Sequence, residues 1–513
     1  MIGTGFGGSM TAYKLVEAGL SVLILERGNW VERDDTAWDP TAILLDQKYR
    51  GNTPYEANQW LGRKLLYPNE VVGGSSVFYG AASFRLREQD FHPEERFSAS
   101  VRKHSGGAEW PINYTDLAPY YDHVEDLLEV HGVAGLDPKE PPRSRGYKAA
   151  PPPYSSPAQR VVTAGESLGL RPFPIPLAIN FGGSSDRTQC IQCMTCDLFP
   201  CKIGAKNDLS VTLLPQAEQR GAVIQTHTIA TKLVRDGNRI SAVECIDTET
   251  GQTMRVECAI CVVSCGAIES PKLLLASGLN EVKRNGPLIG RYLMRHCSGI
   301  VMGVFPDVTN PKKVFHKQVA FTDFYDGHPE GHGPPGPWGM IQGLQIPPPE
   351  YIAKVAPFPI GLIGSLSSKF HIYLLYIAED APNGDNRVEL ERKKVDKFDR
   401  PIAKVFHNYL QRDLQARRAL YRQAARILKK AGARFRVRKP INTFSHALGS
   451  CRFGNDPATA VLDPYCRVFG VSNLFVVDAS FMPTSGGVNP SLTIAANALR
   501  VGDYLVNNWQ SLT

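Results

Sequence analysis

Two stretches of this 513-residue chain carry residue types at spacings that chemistry uses. The first is the opening Met1-Ile2-Gly3-Thr4-Gly5-Phe6-Gly7-Gly8, which fits G-x-G-x-x-G with Gly3, Gly5 and Gly8 in the motif positions. In such a turn one glycine makes the bend from strand to helix. Another lets backbone approach a pyrophosphate, and the third lets helix and strand pack closely. The helix N-terminus then offers unpaired N–H groups and a partial positive charge to the phosphates. Glu26 ends the apolar run Ser21-Val22-Leu23-Ile24-Leu25, 23 residues after Gly3, where a ribose 2′-hydroxyl partner is expected. The spacing predicts a dinucleotide-binding turn over a purely structural glycine loop. The second stretch is Cys190-x2-Cys193-x2-Cys196-x4-Cys201. It nearly repeats the spacing that holds a four-iron four-sulfur cluster, but its last gap is one residue longer and proline precedes the fourth cysteine. An iron–sulfur cluster, zinc and metal-free thiols or disulfides all stay open on that spacing.

The elements that must position these residues follow from periodicity. Residues 9–19 read as a helix, with Met10, Ala12, Leu15 and Val16 apolar and Gly19 as its stop. Gly73-Gly74-Ser75-Ser76 follows the apolar pair Val71-Val72, and is either a second close approach of backbone to a cofactor or a tight turn. Further helices are predicted over residues 116–131, 206–221, 266–277, 411–431 and 491–507. Strands are predicted over 222–228, 231–235, 240–247, 253–265, 370–378, 386–391 and 401–407, with a hairpin joining 240–247 to 253–265. Cys258, Cys261 and Cys265 fall in the apolar strand 253–265 and read as buried thiols. Residues 138–157 form a proline-rich connector, and 301–364 read as loops and strands around a pocket.

Composition narrows the classes. Fifty-seven basic against fifty acidic residues leave a net charge of +7, spread along the chain. The densest basic stretches, Arg392-Lys393-Lys394 and 429–439, lie in patterned elements, so no nucleic-acid partner is expected. No apolar run is long enough for a transmembrane segment. Eleven cysteines, an odd number, do not suit a secreted disulfide framework, so a reducing, cytoplasmic compartment is expected. Only Met1-Ile2 stand where the strand before the turn should be. The reading therefore expects an upstream start that could carry an export signal, or weak cofactor binding.

Four motifs in order resemble the glucose–methanol–choline (GMC) family of flavin oxidoreductases: the glycine turn with Glu26, Gly73-Gly74-Ser75-Ser76, and two later segments. One is Gly266-Ala267-Ile268-Glu269-Ser270-Pro271, running on to Leu279 with Asn280 where a final glycine is usual. The other runs from Ser445-His446 through Gly449, Cys451 and Asp478-Ala479-Ser480 to Gly487-Val488-Asn489-Pro490-Ser491. The resemblance implies an α/β fold: a discontinuous Rossmann-type FAD-binding domain with an inserted α+β substrate domain built on an antiparallel sheet. We assign residues 1–95, 200–295 and 441–513 to the first, and 96–199 with 296–440 to the second.

It also implies FAD-dependent oxidation of a small-molecule alcohol (a sugar, a sterol or another primary or secondary alcohol) by hydride transfer to flavin N5. Gly3, Gly5, Gly8 and Glu26 would hold the AMP half, with Ala230 backbone near the adenine. Gly73, Gly74 and Ser75 would lie along pyrophosphate and flavin, and Asp478 and Ala479 would contact pyrophosphate or ribityl. Pro490 would open a final helix capped by Asn489 and aimed at the flavin pyrimidine. Phe78 stands where covalent-flavin members carry histidine, so dissociable FAD is expected. His446 would accept the hydroxyl proton and Asn489 would hold the substrate oxygen. His296 reads as structural. Two other readings keep the fold: a subunit that passes electrons through an iron–sulfur centre to a partner protein, and a non-redox lyase.

Overall fold

The computed structural model describes residues 1–59, 62–183, 187–282 and 285–513. Its architecture is α/β, and it is built from two halves that meet over one shared core. In the cofactor half, Leu23–Leu25 pairs in parallel with Val223–Gln225, and Cys261–Val263 pairs in parallel with Leu474–Val476. Ile2 joins the two pairs by parallel bridges to Leu25 and Val263. Ile24, Val262, Val263, Phe475 and Val476 are almost fully buried, as suits short apolar strands covered on both faces. The helix Phe6–Glu17 packs against the final helix Ser491–Asn507. Leu492, Ala495, Leu499 and Leu505 of that helix are buried at helical spacing, each leucine stabilising the contact by roughly 1.5–3 kcal/mol.

The second half is a six-stranded antiparallel sheet. Its order is Phe435–Pro440, Gly299–Val304, His371–Ala378, Gly339–Leu344, Val319–Phe321 and Phe173–Pro174. Side chains alternate between its faces. Ile341, Ile372 and Leu374 point to the helix Gln411–Lys430 and pack with its Leu420, Ala424 and Ile427. Met340, Leu375 and Ile377 point the other way, into the core shared with the cofactor half. Gln342 shares the parity of Met340 and so faces the cofactor half. A separate four-stranded sheet pairs Tyr55–Gln59 and Gly62–Leu66 with Pro401–Phe406 and Arg387–Val395, strands drawn from both expected domains.

Two elements differ from the periodicity. The helix expected at 206–221 is reduced to Leu213–Gln219. Lys206 is buried, and its ammonium donates to the carbonyls of Val77, Tyr79, Cys196 and Phe199 at 2.7–3.0 Å. Asp208 turns the next residues by accepting from the Ser210 amide at 3.0 Å. Tertiary partners thus outweigh local helix propensity. The strand expected at 253–265 divides into Thr253–Glu257 and Cys261–Val263, which belong to different sheets. Cys261 is buried, but Cys258 and Cys265 are only half-buried. Among the described residues no helix is long and apolar enough to cross a membrane.

Candidate functional site

The opening turn has the geometry its glycines predict. Gly3 adopts φ +95°, and a Cβ there would lie 2.4 Å from the Ser264 carbonyl oxygen. A Cβ on Gly8 would lie 2.0 Å from the Gly3 carbonyl oxygen, whereas one on Gly5 would meet nothing within 4 Å. Gly3 and Gly8 are therefore required by packing, and Gly5 faces open space, where a phosphate can approach backbone. Gly73, at φ +89°, donates its amide to Thr4 Oγ1 at 2.9 Å. A Cβ on Gly74 would sit 3.4 Å from the Gly5 Cα, so the two glycine turns face each other. Ser75 is exposed beside them.

Glu26 is buried and accepts from the Thr4 amide at 3.1 Å, the Thr4 hydroxyl at 2.5 Å and the Gly28 amide at 2.9 Å. A carboxylate offers about four acceptor sites, so one remains for a ribose hydroxyl. A cavity of about 260 Å³ adjoins it, lined by Gly28, Trp30, Tyr49, Arg50, His227 and Ile229. Ala230 lies where the strand Thr228–Asp236 bulges, which re-aims its backbone. Asp478 turns its carboxylate inward, accepting from Ser270 Oγ at 2.5 Å, the Ser480 amide at 2.9 Å and the Gly266 amide at 3.1 Å. It braces two of the motifs against each other, which leaves backbone as the means by which 478–479 could touch a cofactor. Burial pushes its carboxyl above the usual range.

His446 and His296, 150 residues apart, meet with their Nδ1 atoms 3.0 Å apart. The Nε2 of His296 lies 3.1 and 3.0 Å from the carbonyl oxygens of Ser485 and Gly486. Carbonyls only accept, so this nitrogen carries the proton. His296 is buried and burial pushes its pKa down, which keeps the ring neutral and leaves Nδ1 as an acceptor. The hydrogen-bond network therefore assigns the proton between the rings to His446 Nδ1, and makes His446 Nε2 its basic nitrogen. His446 is half-buried, and desolvation by its packed surroundings pushes its pKa down to about 3, with His296 and Lys317 adding to the shift. His296 takes the left-handed φ of +58°, uncommon for a non-glycine residue, and its carbonyl accepts from the Tyr409 hydroxyl at 2.8 Å. The sequence reads it as structural, and the fold sets it directly against His446. A lone histidine in Leu293-Met294-Arg295-His296 gives no sequence signal for that contact.

Asn489 is not the helix cap. The N-cap position of Ser491–Asn507 is Pro490 itself, with no side-chain cap, and the Pro490 carbonyl accepts the first helical bond from Ile494 at 3.0 Å. The Asn489 amide is thereby released, and its Oδ1 is enclosed without a hydrogen-bond partner.

The sheet above contributes residues that periodicity does not single out. Gln342 and Gln345 are 0% and 4% exposed, and neither the Oε1 nor the Nε2 of either amide has a partner. Each such atom costs roughly 1–3 kcal/mol when left unpaired. Lys317 Nζ pairs with Asp197 Oδ1 at 2.6 Å, and the backbone N–H of Gln345 donates to Asp197 Oδ2 at 3.3 Å. Asp197 is delivered by the cysteine loop, whose Leu198 amide donates to the Phe78 carbonyl at 3.0 Å. In that loop Cys196 is buried, while Cys190, Cys193 and Cys201 are half-buried. Among the described residues no three of these sulfurs lie within 4.8 Å of one another. Zinc held at about 2.3 Å by each thiolate would gather them to roughly 3.8 Å. Nothing else supports an iron–sulfur cluster there; what the loop visibly supplies is Asp197.

Comparison with known proteins gives a consistent picture. Family models described as GMC oxidoreductase match residues 62–298 and 382–498. The chain is 34% identical to 6'''-hydroxyparomomycin C oxidase of Streptomyces lividus, over 99% of this chain and 91% of that protein. It is also 34% identical to paromamine 6'-oxidase of Streptomyces fradiae, over 98% of this chain and 89% of that one. Among solved structures, pyridoxine 4-oxidase from Mesorbium loti superposes with a TM-score of 0.71 at 20% identity, covering 98% of each chain.

Proposed function

Because the chain belongs to the GMC oxidoreductase family, we propose that His446 is the base and Asn489 the oxygen ligand of its reaction. The protein is an FAD-dependent oxidoreductase acting on CH–OH groups. The cradle fits this cofactor: Gly5 and Gly74 face each other across open backbone, and Glu26 keeps one acceptor site for ribose. When bound, FAD supplies the hydride acceptor. We read it as held non-covalently, since Phe78 cannot bond to a flavin ring.

The residues do the proton work. The substrate hydroxyl gives its proton to His446 Nε2, the nitrogen left basic when Nδ1–H donates to His296. The Asn489 amide, unspent on capping, holds the substrate oxygen as alkoxide character develops. His296 keeps the base in its working tautomer. The observation that carries this reading is the chain from the Ser485 and Gly486 carbonyls through His296 to His446.

Paromamine, the compound named for one relative, is the first alcohol to try, beside simple alkanols. His446→Ala should slow bleaching of the flavin by a substrate alcohol by roughly 10²–10⁴-fold while FAD stays bound. Bleaching at the unaltered rate would remove His446 from the mechanism.

A further inference from the structure

We propose that Gln342 and Gln345, beside the Lys317–Asp197 pair, form a subsite for the hydroxyl groups of a polyhydroxylated, sugar-like alcohol. The inference rests on the alcohol-oxidation reading for the bond that reacts, and adds the kind of molecule that carries it. Both glutamines are at least nine-tenths buried, and all four of their amide atoms lack partners. Buried amides are ordinarily satisfied, so two left without partners three residues apart mark a place prepared for a polar ligand.

Their placement is that of a substrate wall. Gln342 lies opposite Ala320 and faces the cofactor half with Met340. Gly343 lies against His316 and Gln318, which brings Lys317 alongside. The backbone N–H of Gln345 donates to Asp197, the partner of Lys317. The loop that carries Asp197 is held against Phe78, just past the Gly73-Gly74 turn, by the Leu198 amide at 3.0 Å.

The chemistry selects the ligand. An amide offers a C=O acceptor and an NH₂ donor, and a hydroxyl both gives and takes a hydrogen bond. Several hydroxyls on one small ring can answer both glutamines at once. An alkyl chain or a sterol skeleton can answer neither, and would seal four unpaired polar atoms against hydrocarbon. Sites built to hydrogen-bond hydroxyls discriminate strongly against analogues that lack them.

The test uses the FAD-loaded full chain with paromamine and n-octanol as probes, and Gln342→Met and Gln345→Met as near-isosteric variants. Each substitution should lower the ratio of kcat/KM for paromamine to that for n-octanol by about 10²-fold or more. The melting temperature of the substrate-free protein should hold or rise, because an unpaired amide has been removed. Equal losses on both alcohols, or a fall in melting temperature, would show that the amides serve the fold and overturn the subsite. If n-octanol bleaches the flavin and paromamine neither bleaches it nor perturbs its spectrum, the subsite falls and alcohol oxidation stands. If paromamine perturbs the spectrum, the variants abolish that perturbation, and neither alcohol bleaches the flavin, the subsite stands and alcohol oxidation falls.

Discussion

The glycine cradle and the glutamine-bearing sheet treat their polar groups in opposite ways. In the cradle, Thr4, Glu26, Gly28 and Gly73 are joined by short hydrogen bonds, and Gly3 and Gly8 let backbone pack where a Cβ would collide. In the sheet, Gln342 and Gln345 keep all four amide atoms unpaired behind well-packed strands. A surface that always receives the same cofactor can be finished in advance. One that must tell substrates apart carries its unsatisfied groups until the right ligand answers them, at a cost in stability.

The contrast breaks most visibly at the glycines. Gly8→Ala places a methyl 2.0 Å from the Gly3 carbonyl oxygen, so the turn must shift. We expect it to destabilise the fold by roughly 1–3 kcal/mol and to abolish FAD retention. Gly5→Ala has an ordinary φ of −68° and no neighbour within 4 Å. It should melt as the parent does yet bind FAD more weakly, because its methyl occupies space meant for phosphate. Calorimetry and flavin absorbance on the two variants check this. Matching losses of stability would mean the cradle is not divided between packing and binding positions.

Legibility in the sequence divides along the same line. The cradle is local, with Gly3, Gly5, Gly8 and Glu26 inside one turn of chain, so spacing alone names them. The final helix is equally plain, since an apolar stripe from Leu492 to Leu505 needs no partner to be recognised. The proposed base and oxygen ligand come only from family motifs, because residue type cannot show that positions 446 and 489 serve one site. His296 reads as structural in the sequence, and nothing there singles out Lys317, Asp197 or the two glutamines. They come from loops, a cysteine-rich turn and a strand with its flanks, Gln345 lying 148 residues from Asp197, and only the fold brings them together. Lys206 shows the same limit where a helix is expected, its four carbonyl partners outweighing local propensity.

His296 sharpens the comparison at intermediate size. His296→Ala removes the Nδ1 acceptor and lets His446 take either tautomer, so bleaching by alcohol should slow by roughly 10–100-fold with FAD still bound. His296→Asn keeps an acceptor and tolerates the left-handed backbone, and should recover most of that loss. Stopped-flow flavin absorbance on both variants measures it. If asparagine proves no better than alanine, the ring is needed for shape and the tautomer argument fails.

The smallest expected effect is in the pH profile, and its sign follows from burial. An ordinary histidine base would lose half its neutral form near pH 6.5. Desolvation, His296 and Lys317 push His446 down to about 3, so the neutral base persists as pH falls through 6.5. The rate of flavin bleaching should therefore stay level from pH 8 to pH 5, with no acidic limb in that range. The same depression makes the folded protein lose stability as pH falls from 6.5 toward 3, since the unfolded chain binds the proton that folded His446 refuses. Activity and stability should part company below neutrality, one level while the other declines. Lys317→Met removes a positive neighbour and should move any acidic limb upward. A limb that stays put while paromamine turnover falls would assign Lys317 to the substrate wall alone.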